Sequence, residues 1–265
     1  MQITPRPFGD VLGWGMTLLG RVWRRLLAPA FWSFTLLGTL TIVTLGISGA
    51  GDFLQLLVLD PLAVEGLTDQ ELVDNLGRLA QAALVAVLLQ VLATGFLFMT
   101  THKIVASEIA GAPVATRVAV TWAIRRLPTF IVAGLLASIV VLVGLILLIV
   151  PGVWMAGSLT MVSAVVALEE TGPIAALSRS HRLVQGRWWQ TIGFLLLVAL
   201  IGSVAGQLVQ LVAVPAFASG DVGFGAGLAF VLVMVVQGLT IAAIAVMSTV
   251  WYTDLRARKE PGPSA

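Results

Sequence analysis

Residues 152–189 read GVWMAGSLTMVSAVVALEETGPIAALSRSHRLVQGRWW. An apolar run ends at Leu168, the carboxylates of Glu169 and Glu170 follow, and Gly172-Pro173 interrupts the chain. A short segment then carries Arg179, His181 and Arg182, and Gly186-Arg187-Trp188-Trp189 leads into the next apolar run. The stretch decides how often the chain crosses a bilayer. Gly152–Leu168 is uncharged but shorter than the roughly 20 residues a helix needs for about 30 Å of hydrocarbon. Its length suits a short or tilted span or a re-entrant segment. If it did not return the chain, Arg179, Arg182 and Arg187 would fall on the side opposite nearly all other basic residues. The charge pattern therefore argues that it crosses.

Composition explains why a bilayer is the frame at all. Of 265 residues, 58% are hydrophobic and 11% charged, with a mean hydropathy of +1.02. A soluble domain carries about 25% charged residues, so this chain could not cover a folded surface with polar groups. The apolar runs are continuous rather than alternating, which excludes a β-barrel reading. The expected fold is all-α: a polytopic membrane protein with about six transmembrane helices, as a single domain over 1–265. The spans are placed at about 28–49, 79–100, 129–150, 152–168, 190–214 and 224–252. The stretch before the first is too long and too amphipathic for a cleavable signal peptide.

With both termini in the cytoplasm, Arg78 is the one outer residue among the 15 basic ones. The acids do not segregate, as the positive-inside rule expects. Trp14, Trp23, Trp32, Trp122, Trp188, Trp189 and Trp251 fall at the inner boundary and Trp154 at the outer one. A multi-pass protein of a plasma membrane results. The pI near 9.7 is read as cationic loops facing anionic lipid headgroups at the cytoplasmic face, not as nucleic-acid binding.

Three inner segments read as amphipathic interfacial helices. Over 8–26, Asp10, Thr17, Arg21 and Arg24 share one helical face and Val11, Leu18 and Val22 the other. The second covers about 113–126 and ends at Arg125-Arg126. The third covers about 173–186, with Pro173 in its first turn and Gly186 at its stop. Together with the spans they suggest a threefold unit of interfacial helix plus two spans. On the outer side, Thr68 and Glu71 make a capping box, so a helix starts there and runs into the second span. Gly202-Ser203-Val204-Ala205-Gly206 and Gly134 to Ser138 permit close helix contact.

Residues 151–188 carry a resemblance. Pro151-Gly152, Glu169, Gly172-Pro173, Ala176-Leu177, Arg179-Ser180, Leu183-Val184 and Gly186-Arg187-Trp188 resemble the membrane domain found fused to some glycerophosphoryl diester phosphodiesterases, and its stand-alone relatives. The tail Tyr252-Thr253-Asp254-Leu255-Arg256-Ala257-Arg258-Lys259-Glu260 resembles that family's tyrosine-containing ending before a basic cluster. Thr253 stands where a second tyrosine is frequent, and His181 where an aromatic is frequent. The likeness covers about 100–260. It implies a multi-span helical fold in a prokaryotic plasma membrane. It does not imply phosphodiesterase activity, because that catalytic barrel is a separate domain.

No GxSxG elbow, HExxH pair or phosphate loop is present. Cysteine is absent, which removes thiolate metal sites and a cysteine nucleophile. No enzyme activity, cofactor or metal is expected. The span centres hold amides (Gln90, Gln207, Gln210 and Gln237) but no ionisable group of the sort that marks an ion pathway. Two readings follow: a scaffold or accessory protein touching anionic lipid or a membrane or cytoplasmic protein partner, or a permease-like carrier of a lipid or hydrophobic compound. Oligomeric state has no signature here. The residues singled out for structure and interface are Glu169, Gly172, Pro173, Arg179, Arg182, Gly186, Arg187 and Trp188, with Arg125 and Arg126. Glu169 is expected to pair with Arg125 or Arg126 of a neighbouring interfacial helix.

Overall fold

Residues 6–59, 66–218 and 224–260 are described by a computed structural model. They form α1 (Phe8–Ser48), α2 (Ala50–Leu59), α3 (Asp69–Ile109), α4 (Thr116–Leu147), α5 (Ile149–Ser158), α6 (Val162–Leu168), α7 (Pro173–Val184), α8 (Trp188–Ala218) and α9 (Phe224–Lys259). The protein is an all-α polytopic membrane protein, with six helical stretches long and apolar enough to cross a bilayer. Asp60, Glu65 and Asp221 lie outside the described residues.

Local chemistry sets several ends as expected. Thr68 caps α3: the Glu71 amide donates to Thr68 Oγ1 at 3.3 Å and the Thr68 amide to Glu71 Oε2 at 2.9 Å. Those two bonds satisfy donors that a helix start otherwise leaves open. Pro173 opens α7, where its missing N–H costs nothing. Gly186 follows α7 with φ +83°, a left-handed conformation that glycine adopts without a Cβ penalty.

The long helices differ from expectation. The segments read as an interfacial helix over 8–26 and a span over 28–49 are one helix of 41 residues, about 60 Å long. Pro29 lies inside it without ending it. Val11, Gly15, Leu18, Val22, Leu26, Ala30, Phe34 and Leu37 are all buried, at intervals of three or four that make one continuous stripe. That stripe packs on α9 and α3, so tertiary contact holds both halves in line and overrides the proline. Likewise 113–126 and 129–150 join as α4, with Pro128 inside. Only the third interfacial segment is a separate helix, so the threefold regularity is not kept at this level. Of the small-residue motifs, Gly202 faces Thr240 across α8 and α9, whereas Gly134 and Gly206 meet nothing.

The fourth apolar stretch is broken. α5 ends at Ser158 and α6 begins at Val162. The Ser180 hydroxyl from α7 spans the break: it donates to the Ser158 carbonyl at 2.9 Å and accepts from the Met161 amide at 3.2 Å. A fully buried side chain thereby pairs backbone groups that the interruption would leave open. Trp154 requires correction. Its carbonyl accepts from Trp188 Nε1 at 2.9 Å and its ring lies 5.1 Å from His181. It therefore shares a level with the tryptophans read as the opposite boundary. The reason is length: α5 has only 10 residues, about 15 Å. α4 and α5 meet at Gly144 and Gly152, where a Cβ on Gly144 would lie 2.9 Å from the Gly152 Cα.

α1, α3 and α9 form the central spine, with α8 on α9 and α4 on α3. The Arg6 amide donates to Asp254 Oδ1 at 2.8 Å. The start of α1 and the end of α9 therefore lie at one end of the bundle, termed here the terminal end.

Candidate functional site

The turn between α6 and α7 carries the most connected polar cluster at the terminal end. α6 stops at Leu168, Glu169 keeps a right-handed backbone, and Glu170 turns to φ 52°. Gly172 is extended at φ −73° and hands over to Pro173. This places Glu169 back against α7. Arg179 Nε donates to both Glu169 oxygens, at 2.7 and 3.0 Å. Tyr252 of α9 donates its hydroxyl to Glu169 Oε1 at 2.7 Å. The Glu169 and Arg179 side chains are only 15% and 16% exposed, so the pair has lost most of its water and depends on these bonds.

The network extends into the end of α9. Arg179 Nη2 also bonds Glu260, and Arg256 Nε donates to Glu260 at 3.0 Å. Bonds from Arg256, then from Arg179, hold the Glu260 carboxyl below its ordinary pKa. Leu168, Glu169, Thr171, Arg179, Arg182, Arg256 and Glu260 line an open cleft of about 570 Å³.

Glu169 does not pair with Arg125 or Arg126. Arg126 reaches the same turn but donates to the backbone, to the Val166 carbonyl at 3.1 Å and the Thr171 carbonyl at 3.4 Å. The Val166 carbonyl lies in the last turn of α6, where a helix leaves acceptors open, and Thr171 lies in the turn that follows. Arg125 is exposed. Arg182 is exposed on the cleft rim. Glu170 takes the neighbour instead: Trp122 Nε1 lies 3.3 Å from it and Lys103 Nζ 3.9 Å. Arg187 bonds Gln190, and Trp188 packs over Gly157. The cluster thus gathers Glu169, Arg179 and Arg182, and its turn is shaped by Gly172 and Pro173. Gly186, Arg187 and Trp188 stand apart at the start of α8.

Residue chemistry alone did not single out Tyr252 and Ser180. The tail resemblance included Tyr252, but its contact with Glu169 spans most of the fold. Ser180 entered only within the Arg179-Ser180 pair of the resemblance, with no role attached. The histidines stand away from Glu169: His181 faces Trp154, and buried His102 bonds Thr249 at 2.7 Å. Among the described residues, no group of three or more His, Asp or Glu gathers in metal-binding geometry. The cluster therefore joins elements: α7 to the end of α6, and both to α9.

The family model for a domain of unknown function, DUF7847, matches residues 25–255. The chain belongs to this family. No curated protein and no solved structure matches it. In this DUF7847 protein the matched residues include Glu169, Arg179 and Tyr252; Arg6, Arg258 and Glu260 lie beyond them.

Proposed function

We propose that this DUF7847 protein is a non-enzymatic scaffold or accessory protein of a prokaryotic plasma membrane, acting in envelope or lipid-related processes, with its terminal end in the cytoplasm. The observation that carries this reading is where the span amides lie. Gln90, Gln207, Gln210 and Gln237 are all exposed on the outside of the bundle, not inside it where a substrate path would need them. Ser203, Gln207 and Gln210 repeat at intervals of four and three on one face of α8, a helix that packs mainly on α9. In hydrocarbon such groups seek interhelical hydrogen bonds, which favours a membrane partner for α8. The basic end supports the orientation, since Arg21, Arg24, Arg117, Arg125 and Arg182 are exposed there and anionic leaflets attract such groups. The resemblance of 151–188 and of the tail to phosphodiesterase-linked membrane domains supports a lipid-related setting.

The chain has no cysteine, so Ser203→Cys or Leu211→Cys, on the same exposed face as the two amides, can be crosslinked in native membranes without background. A discrete adduct, lost when Gln207 and Gln210 are both leucine, is expected. No adduct at either position, together with protein-dependent flux of a lipid or hydrophobic dye in proteoliposomes, would favour the carrier instead.

A further inference from the structure

Asp254, at the terminal end, is almost fully buried. Its Oδ1 accepts from the Arg6 amide at 2.8 Å and its Oδ2 from Arg258 Nε at 2.6 Å. Arg258 also bonds the Arg6 carbonyl. α9 thereby clasps the segment preceding α1. The clasp brings three arginines from separate parts of the chain, Arg6, Arg187 and Arg258, around one partly enclosed cavity of about 230 Å³. Phe8 and Trp251 line it, edge-on to each other at 5.9 Å, and Phe194 stacks on Trp251 at 4.6 Å.

The charges there do not cancel. Asp254 is the only carboxylate bonded to these residues among the described ones, and it is engaged by Arg258 and the Arg6 backbone. The Arg6 guanidinium lies 4.1 Å above the Trp14 ring, and Arg187 reaches the side-chain oxygen of Gln190. Three cations against one anion leave a net positive charge around a small, partly enclosed space, where charges are screened less than in bulk water. α8 begins at Trp188, directly after Arg187, so the open N–H groups and positive dipole end of that helix add to the same potential.

We propose that Arg6, Arg187 and Arg258 form a binding pocket for a phosphate group. Guanidinium forks match the oxygens of a phosphate in paired, charge-assisted hydrogen bonds. Depth favours a lipid headgroup as the source. Arg187 adjoins Trp188 and Trp189, and Trp189 is 80% exposed, as a ring anchored at headgroup level is. The chemistry is the same for a soluble phosphate ester. Only the preference for lipid rests on the proposed placement of this end at a cytoplasmic leaflet.

The test uses the full chain in a non-ionic detergent. Its melting temperature is followed while inorganic phosphate, short-chain phosphatidic acid or short-chain phosphatidylcholine is added. Phosphatidic acid is expected to raise the melting temperature saturably, and phosphatidylcholine far less. Arg187→Gln should weaken the apparent affinity roughly tenfold or more, the effect of losing one charged hydrogen-bonding partner. Arg6→Gln should act in the same direction, and it leaves the backbone clasp intact if Arg187→Gln disturbs folding. Arg78→Gln, exposed on α3 away from the terminal end, should change nothing. Phosphate matching phosphatidic acid would assign the pocket to soluble phosphates; phosphatidic acid acting alone would assign it to lipid. Unaltered affinity in both Arg187→Gln and Arg6→Gln, or an equal loss in Arg78→Gln, would overturn the pocket. This result is independent of crosslinking at α8, so failure of either proposal leaves the other standing.

Discussion

Glu169 accepts two bonds from Arg179 and one from Tyr252, whereas Glu170 is mostly exposed. Position, not residue type, separates their worth. Glu169→Gln leaves a largely buried guanidinium without the carboxylate that its Nε–H bonds. It should destabilise the chain by about 2 kcal/mol, within the range for charged hydrogen bonds. Tyr252→Phe removes one bond and should cost about 1 kcal/mol. Glu170→Gln should be near neutral, as exposed pairs are. Thermal unfolding in detergent ranks the three; equal small losses for Glu169 and Glu170 would remove the structural role of the former. Glu260 makes a pH prediction. Its folded-state pKa lies below the ordinary 4.5, so the stabilisation is present above 4.5 and is lost as pH falls through the folded value. The drop in melting temperature between pH 7 and pH 4 should therefore be smaller in Glu260→Gln than in wild type.

The α4–α5 hairpin is the element that departs furthest from a simple span pair. Ile146, Leu147, Leu148, Ile149 and Val150 at its tip are each at least 67% exposed, and no polar residue accompanies them. Such a surface is stable in hydrocarbon and unfavourable in water. Trp154, six residues from Leu148, already touches Trp188, so the tip extends only about 9 Å beyond that level along α5. A cysteine at Leu148 should resist a membrane-impermeant reagent in intact cells, while Asp69→Cys reacts. Equal labelling would show that the tip reaches outer water. The hairpin also depends on close backbone contact. A Cβ on Gly152 would lie 2.6 Å from the Leu145 amide nitrogen, a backbone atom with little freedom to yield. Gly152→Ala should cost about 1–3 kcal/mol, read as a lowered unfolding temperature.

At the scale of the whole molecule, the start of α1, the α6–α7 turn and the end of α9 converge at one end. Arg182→Cys should stay unlabelled in intact cells and react after permeabilisation, the reverse of Asp69→Cys. Ser180 could not report on sidedness, since it is fully buried. What the sequence alone determined was local or additive. Few charges and long apolar runs required lipid as the solvent, and Thr68 with Glu71, and Pro173 with Gly186, set helix ends through bonds and backbone preferences within a few residues. The basic residues, counted by segment, gave the expected sidedness. Only the tertiary structure decided that α1 and α4 run unbroken through Pro29 and Pro128; in α1, burial of a continuous stripe outweighs one lost backbone bond. It alone set Glu169 between Arg179 and Tyr252, since that choice follows from where α9 packs. It alone put the span amides on the outer surface and three arginines around one cavity. Periodicity reports which face of a helix is apolar, but not which neighbour covers it.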